Sequence, residues 1–235
     1  MKSKNTQRIC NTCELRPTTM CANLTESELA LIQETKSCLS YQKDDTIFKE
    51  WSPGYGIYFL TSGKVKLSKL AQNGKETIIR LVKKGDLLGF LILHGNEKFT
   101  NTAKALEDST VCYIPKDTFL TLLNTNSQLS TALLTLFSQE LNRTEQSITN
   151  VQKTVKERIA ETILFMYQIY GFESDNKTID VSLKREEIGN IALTTLETTV
   201  RIIKDFERDG LIELKGKRIV ILNMPKLIRE ANLDN

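Results

Sequence analysis

The most regular hydrophobic pattern in the chain runs from about Ser127 to Arg158. Leu134, Leu141, Ile148 and Val155 recur every seven residues, and Phe137, Thr144 and Val151 each lie three residues after one of the first three. Such heptad spacing is typical of a helix that packs along a second helix. We interpret residues 127–154 as a dimerisation helix, with one long core helix of a monomer as the alternative. The proposed dimer seam consists of Leu134, Phe137, Leu141, Thr144, Ile148 and Val151.

The residues before this helix show the pattern of a β-rich domain. Short runs rich in β-branched and aromatic residues alternate with turn sequences, and Asn73-Gly74 gives the strongest hairpin signal. Even spacing of many short strands predicts a β-roll of the jelly-roll kind, which we place as a sensor domain at residues 25–126. The predicted strands are residues 46–49, 57–60, 64–70, 77–82, 102–107 and 110–114.

Helices are expected on both sides of this β-roll. Thr25 and Glu28 form a capping box that opens a helix extending towards Cys38, and a short helix is expected at residues 118–124. A second apolar row beside the dimer seam predicts that the long helix also packs onto its own domain. That row consists of Leu129, Ala132, Leu133 and Leu136.

Residues 155–235 show the pattern of a winged helix-turn-helix domain. A helix over 155–170 is followed by a short helix ending near Ile191, a tight turn at Ala192-Leu193 and a second helix ending at Gly210. Thr194 and Glu197 are predicted to cap that second helix as a capping box. Two short strands joined by residues 215–218 form a basic wing. The expected core face of the second helix is Thr199, Ile202, Ile203 and Phe206.

The second helix of such a motif enters the major groove of double-stranded DNA. Arg201 suits guanine O6 and N7, Glu197 suits cytosine N4, and Val200 suits a thymine methyl. Lys204 and Lys217 suit phosphates, as do Arg208 and Arg218. For Glu197 the alternative is that its side chain only closes the capping box with Thr194.

Composition limits the remaining possibilities. The chain has 235 residues, of which 40% are hydrophobic and 26% charged, and its formal net charge is +3. This charge is too small to identify DNA by composition, so DNA binding has to depend on a local surface. No apolar segment indicates export or membrane insertion, and we therefore expect a cytoplasmic protein. No convergent acid–base pair indicates an enzyme.

Cysteine supplies the candidate chemistry of the sensor. Of five cysteines, Cys10, Cys13 and Cys21 fall within twelve residues in a polar segment, residues 1–24, and His94 is the single histidine. Without an export signal, clustered cysteines are better interpreted as metal or redox ligands than as structural disulfides. We expect Cys38 to lie in a helix as a small buried side chain, with a reserve role as a ligand.

Several local stretches give the chain a family resemblance. Residues 85–90 (GDLLGF), 105–115 (ALEDSTVCYIP), 187–190 (EIGN) and 214–217 (LKGK) resemble the Crp/Fnr family of bacterial transcription regulators, and the chain is similar to its oxygen-responsive Fnr branch. The resemblance implies a β-roll, a dimerisation helix and a winged helix-turn-helix, which makes the fold class α+β. It also implies a homodimer that binds palindromic DNA with TTGAT-like half-sites and contacts RNA polymerase.

The resemblance further implies a cofactor. Fnr-type regulators hold an oxygen-sensitive [4Fe-4S] cluster with three N-terminal cysteines and one distant cysteine, which here correspond to Cys10, Cys13, Cys21 and Cys112. Seven residues separate Cys13 from Cys21, more than in typical members, and a flexible loop would absorb the difference. The alternatives are zinc, a thiol–disulfide switch at the same cysteines, or a β-roll that binds a small molecule.

Three departures from the family refine these expectations. Residues 99–102 (FTNT) lack the Arg-Ser pair that grips the phosphate of cyclic nucleotides, which argues against cyclic AMP. Val200 replaces the serine of the recognition helix, so the outer thymine positions of the half-site are expected to differ. Thr144 stands where Fnr-type proteins carry an aspartate that keeps the cluster-free form monomeric. We therefore expect a dimer that depends less on its cluster.

Overall fold

The structure is a computed structural model that describes residues 10, 13–72, 74–93, 95, 97–150 and 152–233, with only the backbone of Thr18 and of residues 146–150. The described residues divide into two compact units. One is drawn from Met1–Lys69 and Val82–Thr144, and the other from Leu70–Leu81 and Glu145–Asn235. No helix among the described residues has the length and apolar character needed to cross a membrane.

Seven α-helices and ten strands are found in the described residues. The helices are α1 Glu26–Thr35, α2 Lys116–Thr125, α3 Ser127–Asn150, α4 Val155–Tyr170, α5 Arg185–Ile191, α6 Leu196–Arg208 and α7 Met224–Glu230. The strands are β1 Ser37–Tyr41, β2 Thr46–Phe48, β3 Gly56–Ser62, β4 Val65–Leu70, β5 Glu76–Val82, β6 Leu87–Leu88, β7 Thr102–Ala105, β8 Ser109–Pro115, β9 Ile212–Lys215 and β10 Arg218–Ile221.

The β-roll consists of two four-stranded sheets, ordered β1-β8-β3-β6 and β2-β7-β4-β5. All six predicted strand segments are present, and the predicted mixed fold is confirmed. The helix predicted to extend towards Cys38 is shorter than expected, because α1 ends at Thr35. Cys38 lies on β1, not in a helix, and pairs with Cys112 on β8. Pairing with β8 decides this local structure, since Ser37–Tyr41 carries little strand signal of its own.

Helix α3 packs on the β-roll through the second apolar row. Leu129 and Leu133 are buried in the core, Leu136 and Phe137 pack partly buried against it, and the Phe137 ring meets the Phe90 ring edge-on at 5.3 Å. The prediction that this row docks the helix onto its own domain is therefore confirmed for these leucines. The dimerisation helix predicted over residues 127–154 is four residues shorter, because α3 ends at Asn150, whereas the helix predicted over residues 155–170 is present as α4. The next helix, α4, begins at Val155 with a capping box formed by Thr154 and Glu157.

The C-terminal helices pack into a winged helix-turn-helix. Helix α4 contacts α5, α6 and α7, and the hairpin of β9 and β10 forms the wing. Gly189 allows α5 to approach α6 closely, because a Cβ at this position would lie 2.6 Å from Thr199 Oγ1. Leu193 supplies the turn with φ +52°, a left-handed conformation that is rare for a branched side chain.

The predicted cap of α6 is wrong by one residue. Thr195, not Thr194, is the N-cap, and its hydroxyl accepts a hydrogen bond from the amide of Thr198. Glu197 therefore lies inside the first turn and does not close a capping box with Thr194. The predicted core face is confirmed, since Thr199, Ile202, Ile203 and Phe206 are all buried.

Candidate functional site

Four cysteines line one cavity at the edge of the β-roll. Its thiol-bearing wall is formed by Cys10, Cys13, Cys21 and Cys112, and we call this space the thiol cavity. Leu29 and Ile32 of α1 and Phe59 and Leu60 of β3 supply apolar walls. Such walls lower the polarity around the four sulfur atoms.

The N-terminal cysteines are held by a few hydrogen bonds. Cys10 donates its amide to Gln33 Oε1 at 2.8 Å, and Cys13 donates its amide to the Cys10 carbonyl at 3.2 Å. Cys21 lies in a 3-10 turn, Met20–Asn23, where its amide donates to Thr19 Oγ1 at 3.3 Å. The described residues of this segment therefore bring the three cysteines to the cavity by turns and a few hydrogen bonds, without a strand or an α-helix.

Cys112 is fixed in a different way. It lies on β8, which pairs with β1 on one side and with β3 on the other. Cys38 is its direct partner across β1, and the two Sγ atoms are 3.1 Å apart. Cys38 is only 2% exposed and is not among the residues that line the thiol cavity.

Burial changes the acidity of two of these thiols. It raises the pKa of Cys21 to about 12, against a smaller opposing effect of the hydrogen bond from Thr19. Burial also raises the pKa of Cys112 to about 12, and the hydrogen bond with Cys38 acts in the same direction. Both side chains are thus neutral thiols near pH 7 in the absence of a metal. A metal centre would have to displace these protons when it binds.

Two cations approach the cavity from its polar edge. Lys36 Nζ donates to Cys10 Sγ at 3.0 Å, and Arg16 Nη2 donates to the carbonyl of Leu24 at 2.9 Å beside Cys21. Positive charge near sulfur favours the thiolate that a metal needs as ligand. Neither residue stood out in the sequence, because their proximity to the cysteines depends on the packing of α1.

The four thiols at the cavity equal in number the ligands that a four-iron cluster would need. Among the residues that the structure describes, no three or more His, Cys, Asp or Glu side chains are gathered closely enough to hold one metal ion. A zinc ion would draw its sulfur ligands to about 2.3 Å. A four-iron cluster would take one thiolate from each of four cysteines. Four cysteines around an apolar cavity match that requirement.

Residues of the proposed dimer seam differ in their exposure to solvent. Leu134 and Leu141 are 66% and 60% exposed on α3, although both are large apolar side chains. Phe137 is partly buried and packs against the hydrophobic core of its own domain. Thr144 donates its hydroxyl to the Glu140 carbonyl at 2.9 Å. The side chain of Ile148 and all of Val151 lie outside the described residues.

The candidate DNA-contacting residues lie on α6 and on the wing. Glu197, Arg201 and Lys204 are exposed on α6, Val200 is half-buried there, and Lys217 is exposed at the tip between β9 and β10. Arg208 is held by Asp205 at 2.9 Å, so its charge is partly neutralised within the helix.

One positioning residue of the wing was missed in the sequence. Arg185 Nη2 donates to the Gly216 carbonyl at 3.0 Å and Nη1 to that of Lys217 at 3.4 Å, which ties the wing tip to α5. These bonds join residues 31 and 32 positions apart, and no local pattern at Arg185 indicates them.

Comparison with known proteins identifies both halves of the chain. Residues 38–126 match the family model described as a cyclic nucleotide-binding domain, and residues 157–230 match the Crp-like helix-turn-helix domain. The chain is 30% identical to the electron transport regulator A of Shewanella oneidensis, with 93% of this chain and 88% of that protein covered. It is 29% identical to the fumarate and nitrate reduction regulatory protein of Vibrio cholerae, with 95% and 90% covered.

Solved structures show the same fold. The structure of FixK2 from Bradyrhizobium japonicum matches with a TM-score of 0.74 and 25% identity, and the match covers 86% of this chain and 98% of that one. The similarity therefore extends across the β-roll and the winged helix-turn-helix together.

Proposed function

The chain belongs to the Crp/Fnr family of DNA-binding transcription regulators, which are not enzymes, and from this premise we propose a homodimeric sensor of oxygen or redox state. Its proposed cofactor is a [4Fe-4S] cluster, and its proposed ligands are Cys10, Cys13, Cys21 and Cys112. The observation that carries this proposal is the meeting of these four thiols at one apolar cavity. The names of the relatives, which refer to electron transport and to fumarate and nitrate reduction, agree with it.

The protein groups around the cavity have separate tasks in this proposal. The apolar walls lower the polarity around the sulfur atoms, and Lys36 stabilises negative charge on the Cys10 sulfur. Cys21 and Cys112 each give up a proton when they become ligands. The cluster supplies iron and sulfide that oxygen oxidises. As ligands of one cluster, Cys10, Cys13 and Cys21 would join the N-terminal segment to Cys112 on β8.

A zinc site or a simple thiol–disulfide switch uses the same cysteines and is the second candidate. The 3.1 Å approach of the Cys112 sulfur to that of Cys38, a fifth cysteine outside this set, favours thiol chemistry at Cys112. Metal analysis separates the two candidates, because a cluster brings sulfide with its iron whereas zinc does not. A β-roll that binds a small molecule is the third. Residues 99–102 lack the phosphate-gripping arginine that cyclic AMP would need.

For DNA recognition we propose that α6 enters the major groove. Arg201 pairs with a guanine and Glu197 with a cytosine, while Val200 meets a thymine methyl. The shift of the cap to Thr195 supports the role of Glu197, because it removes the capping alternative. Lys204 and Lys217 hold phosphates. The target is a palindrome related to TTGAT half-sites, and RNA polymerase is the proposed protein partner.

The dimer is proposed to form along α3. Leu134 and Leu141 lie exposed on one side of the helix, and burying a leucine contributes about 1.5–3 kcal/mol. A homodimer places two copies of α6 on successive turns of DNA, which matches the palindromic target.

Sensing is tested by following DNA affinity and visible absorbance on one sample. Anaerobically purified protein is titrated into a labelled palindromic duplex by fluorescence anisotropy, before and after air is admitted. We expect thiolate-to-iron absorbance to bleach and specific affinity to fall together. The matched control is Cys112→Ala, whose affinity should not respond to air. A colourless anaerobic wild type, or bleaching without any change of affinity, would reject the proposal.

A further inference from the structure

Cys38 has no role in the proposed ligand set, yet it faces one of its members. Building on the proposed function, we propose that Cys38 and Cys112 form a cross-strand disulfide in the cluster-free protein. The disulfide removes Cys112 from the ligand set, so the oxidised protein cannot take up a cluster until a thiol reductant has opened the bond.

The backbone already has the geometry for this bond. Cys38 and Cys112 are direct antiparallel partners, and such partners have Cα atoms about 4.5–5.5 Å apart. Disulfides join residues whose Cα atoms lie about 4.4–6.8 Å apart. The Sγ atoms are at 3.1 Å and have to approach by about 1 Å to reach bonding distance. Side-chain rotation therefore suffices, and the strands stay in register.

The pairing is selective because both strands are fixed. Strands β1 and β8 are paired without a bulge over Ser37↔Tyr113 to Tyr41↔Ser109, and β8 is also paired with β3. Of the N-terminal cysteines, Cys21 lies in a 3-10 turn, and Cys10 and Cys13 lie outside any helix or strand. Cys38 therefore has the highest effective concentration at Cys112 whenever no cluster holds the other three.

The oxidant we assign to this step is hydrogen peroxide. Cys112 lines the cavity whereas Cys38 is 2% exposed, so the Cys112 sulfur meets the peroxide first. After this thiol loses its proton to solvent, the sulfur attacks one peroxide oxygen and the O–O bond breaks. The leaving hydroxide takes up a proton and becomes water, and a sulfenic acid remains. The Cys38 sulfur then attacks the Cys112 sulfur, the S–O bond breaks, and a second water leaves. Two thiols lose two electrons and two protons, and one peroxide becomes two waters.

Tryptic peptides resolve the competing pairings. Cys38 lies on peptide 37–43 and Cys112 on peptide 105–116, while Cys10, Cys13 and Cys21 share peptide 9–36 because Pro17 protects the bond after Arg16. Cluster-free protein is treated with one equivalent of hydrogen peroxide, blocked with an alkylating reagent and digested without reduction. Mass spectrometry should find peptide 37–43 linked to peptide 105–116. Peptide 105–116 linked to peptide 9–36, or left unlinked, would overturn the proposal.

The variant Cys38→Ala provides a second test, which detects the sulfenic acid of Cys112 instead of linked peptides. Without its partner, the Cys112 sulfenic acid should persist and be labelled by dimedone on peptide 105–116, whereas wild type should show little label. Equal labelling of the two proteins would also overturn the proposal. Both proteins are compared by thermal melting first, because Cys38 is buried.

Iron uptake separates this inference from the proposed function. After peroxide, wild type should incorporate iron and sulfide only once dithiothreitol has been added. Linked peptides in a protein that takes up no iron even when reduced would support the disulfide and reject the cluster. Full iron uptake after peroxide without reductant, with no linked peptide, would support the cluster and reject the disulfide.

Discussion

The DNA-binding domain and the thiol cavity are assembled in different ways. Helix α6 rests on a buried face in which Ile203 is 1% exposed and Phe206 is 0% exposed, and Arg185 ties the wing to the same unit. At the thiol cavity, Cys112 is fixed by strands on both sides, whereas Cys10 and Cys21 are held by a few turn and side-chain hydrogen bonds. The DNA-binding surface is therefore held in place by its own hydrophobic core. At the thiol cavity only Cys112 is held by strand pairing.

This difference between the two regions indicates which of them would respond to the proposed cluster. A surface preformed by its own core does not need a ligand to fold, so α6 should present the same side chains with or without a cluster. A segment with few apolar contacts is ordered mainly by what it binds. The proposed cluster is therefore expected to affect the N-terminal segment more than the DNA-binding domain.

The largest effect is expected from Phe206→Ala. Truncating this fully buried ring should lower the stability of the DNA-binding domain by about 3–5 kcal/mol. DNA binding should be lost at growth temperature, while anaerobic iron and sulfide uptake should match wild type. Urea unfolding followed by circular dichroism and iron analysis check the two statements. Loss of iron uptake in this variant would contradict the independence of the thiol cavity.

A smaller effect is expected from Arg201→Ala. Removing a bidentate contact to guanine should cost about 1–3 kcal/mol of specific binding and relax the preference at one base pair. Lys204→Ala is the matched control, since loss of a phosphate contact should weaken all sequences alike. Anisotropy titrations on specific and random duplexes measure both variants. Equal losses on both duplexes for Arg201→Ala would contradict a base-reading role.

The cap of α6 should contribute less than either of these side chains. Thr195→Ala should destabilise the domain by about 1 kcal/mol, because the Thr198 amide loses its acceptor at 3.2 Å. Thr194→Ala tests the alternative cap one residue earlier and should change stability by less. Denaturant midpoints of the two variants decide which threonine begins the helix. A larger loss for Thr194→Ala would restore the cap predicted from sequence.

The smallest effect is expected on the dimer when the cluster is lost. Thr144 introduces no charge at the seam, and Leu134 and Leu141 remain available on α3. Cluster-free protein should therefore sediment as a dimer at micromolar concentration. Thr144→Asp should shift the cluster-free form towards the monomer through repulsion between two nearby carboxylates. Sedimentation of cluster-free wild type as a monomer would refute this expectation.

Sequence patterns predicted the elements whose signal is local. Turn residues between β-branched runs located six strands, and the spacing of Thr199, Ile202, Ile203 and Phe206 located the buried face of α6. The two short strands β1 and β6 were missed, because neighbouring strands and not their own residues determine them. The end of α3 was missed because the heptad spacing continues across the cap at Thr154.

The candidate site depended still more on tertiary structure. Spacing alone grouped Cys10, Cys13 and Cys21, and only the family resemblance added Cys112. No local signal placed Cys38 opposite Cys112 or Lys36 beside Cys10, because residues 74 and 26 positions apart meet there through folding. A sequence indicates which side chains have the right chemistry. Packing decides which of them meet.

Iron and sulfide analysis of anaerobically purified protein is the most direct test of the proposed [4Fe-4S] cluster. We expect about four iron and four acid-labile sulfide per chain for wild type and for Cys38→Ala, and neither for Cys112→Ala. Wild type that contains zinc or no metal under strict anaerobiosis would contradict the cluster. Loss of iron in Cys38→Ala with retention in Cys112→Ala would contradict the assignment of Cys112 as a ligand.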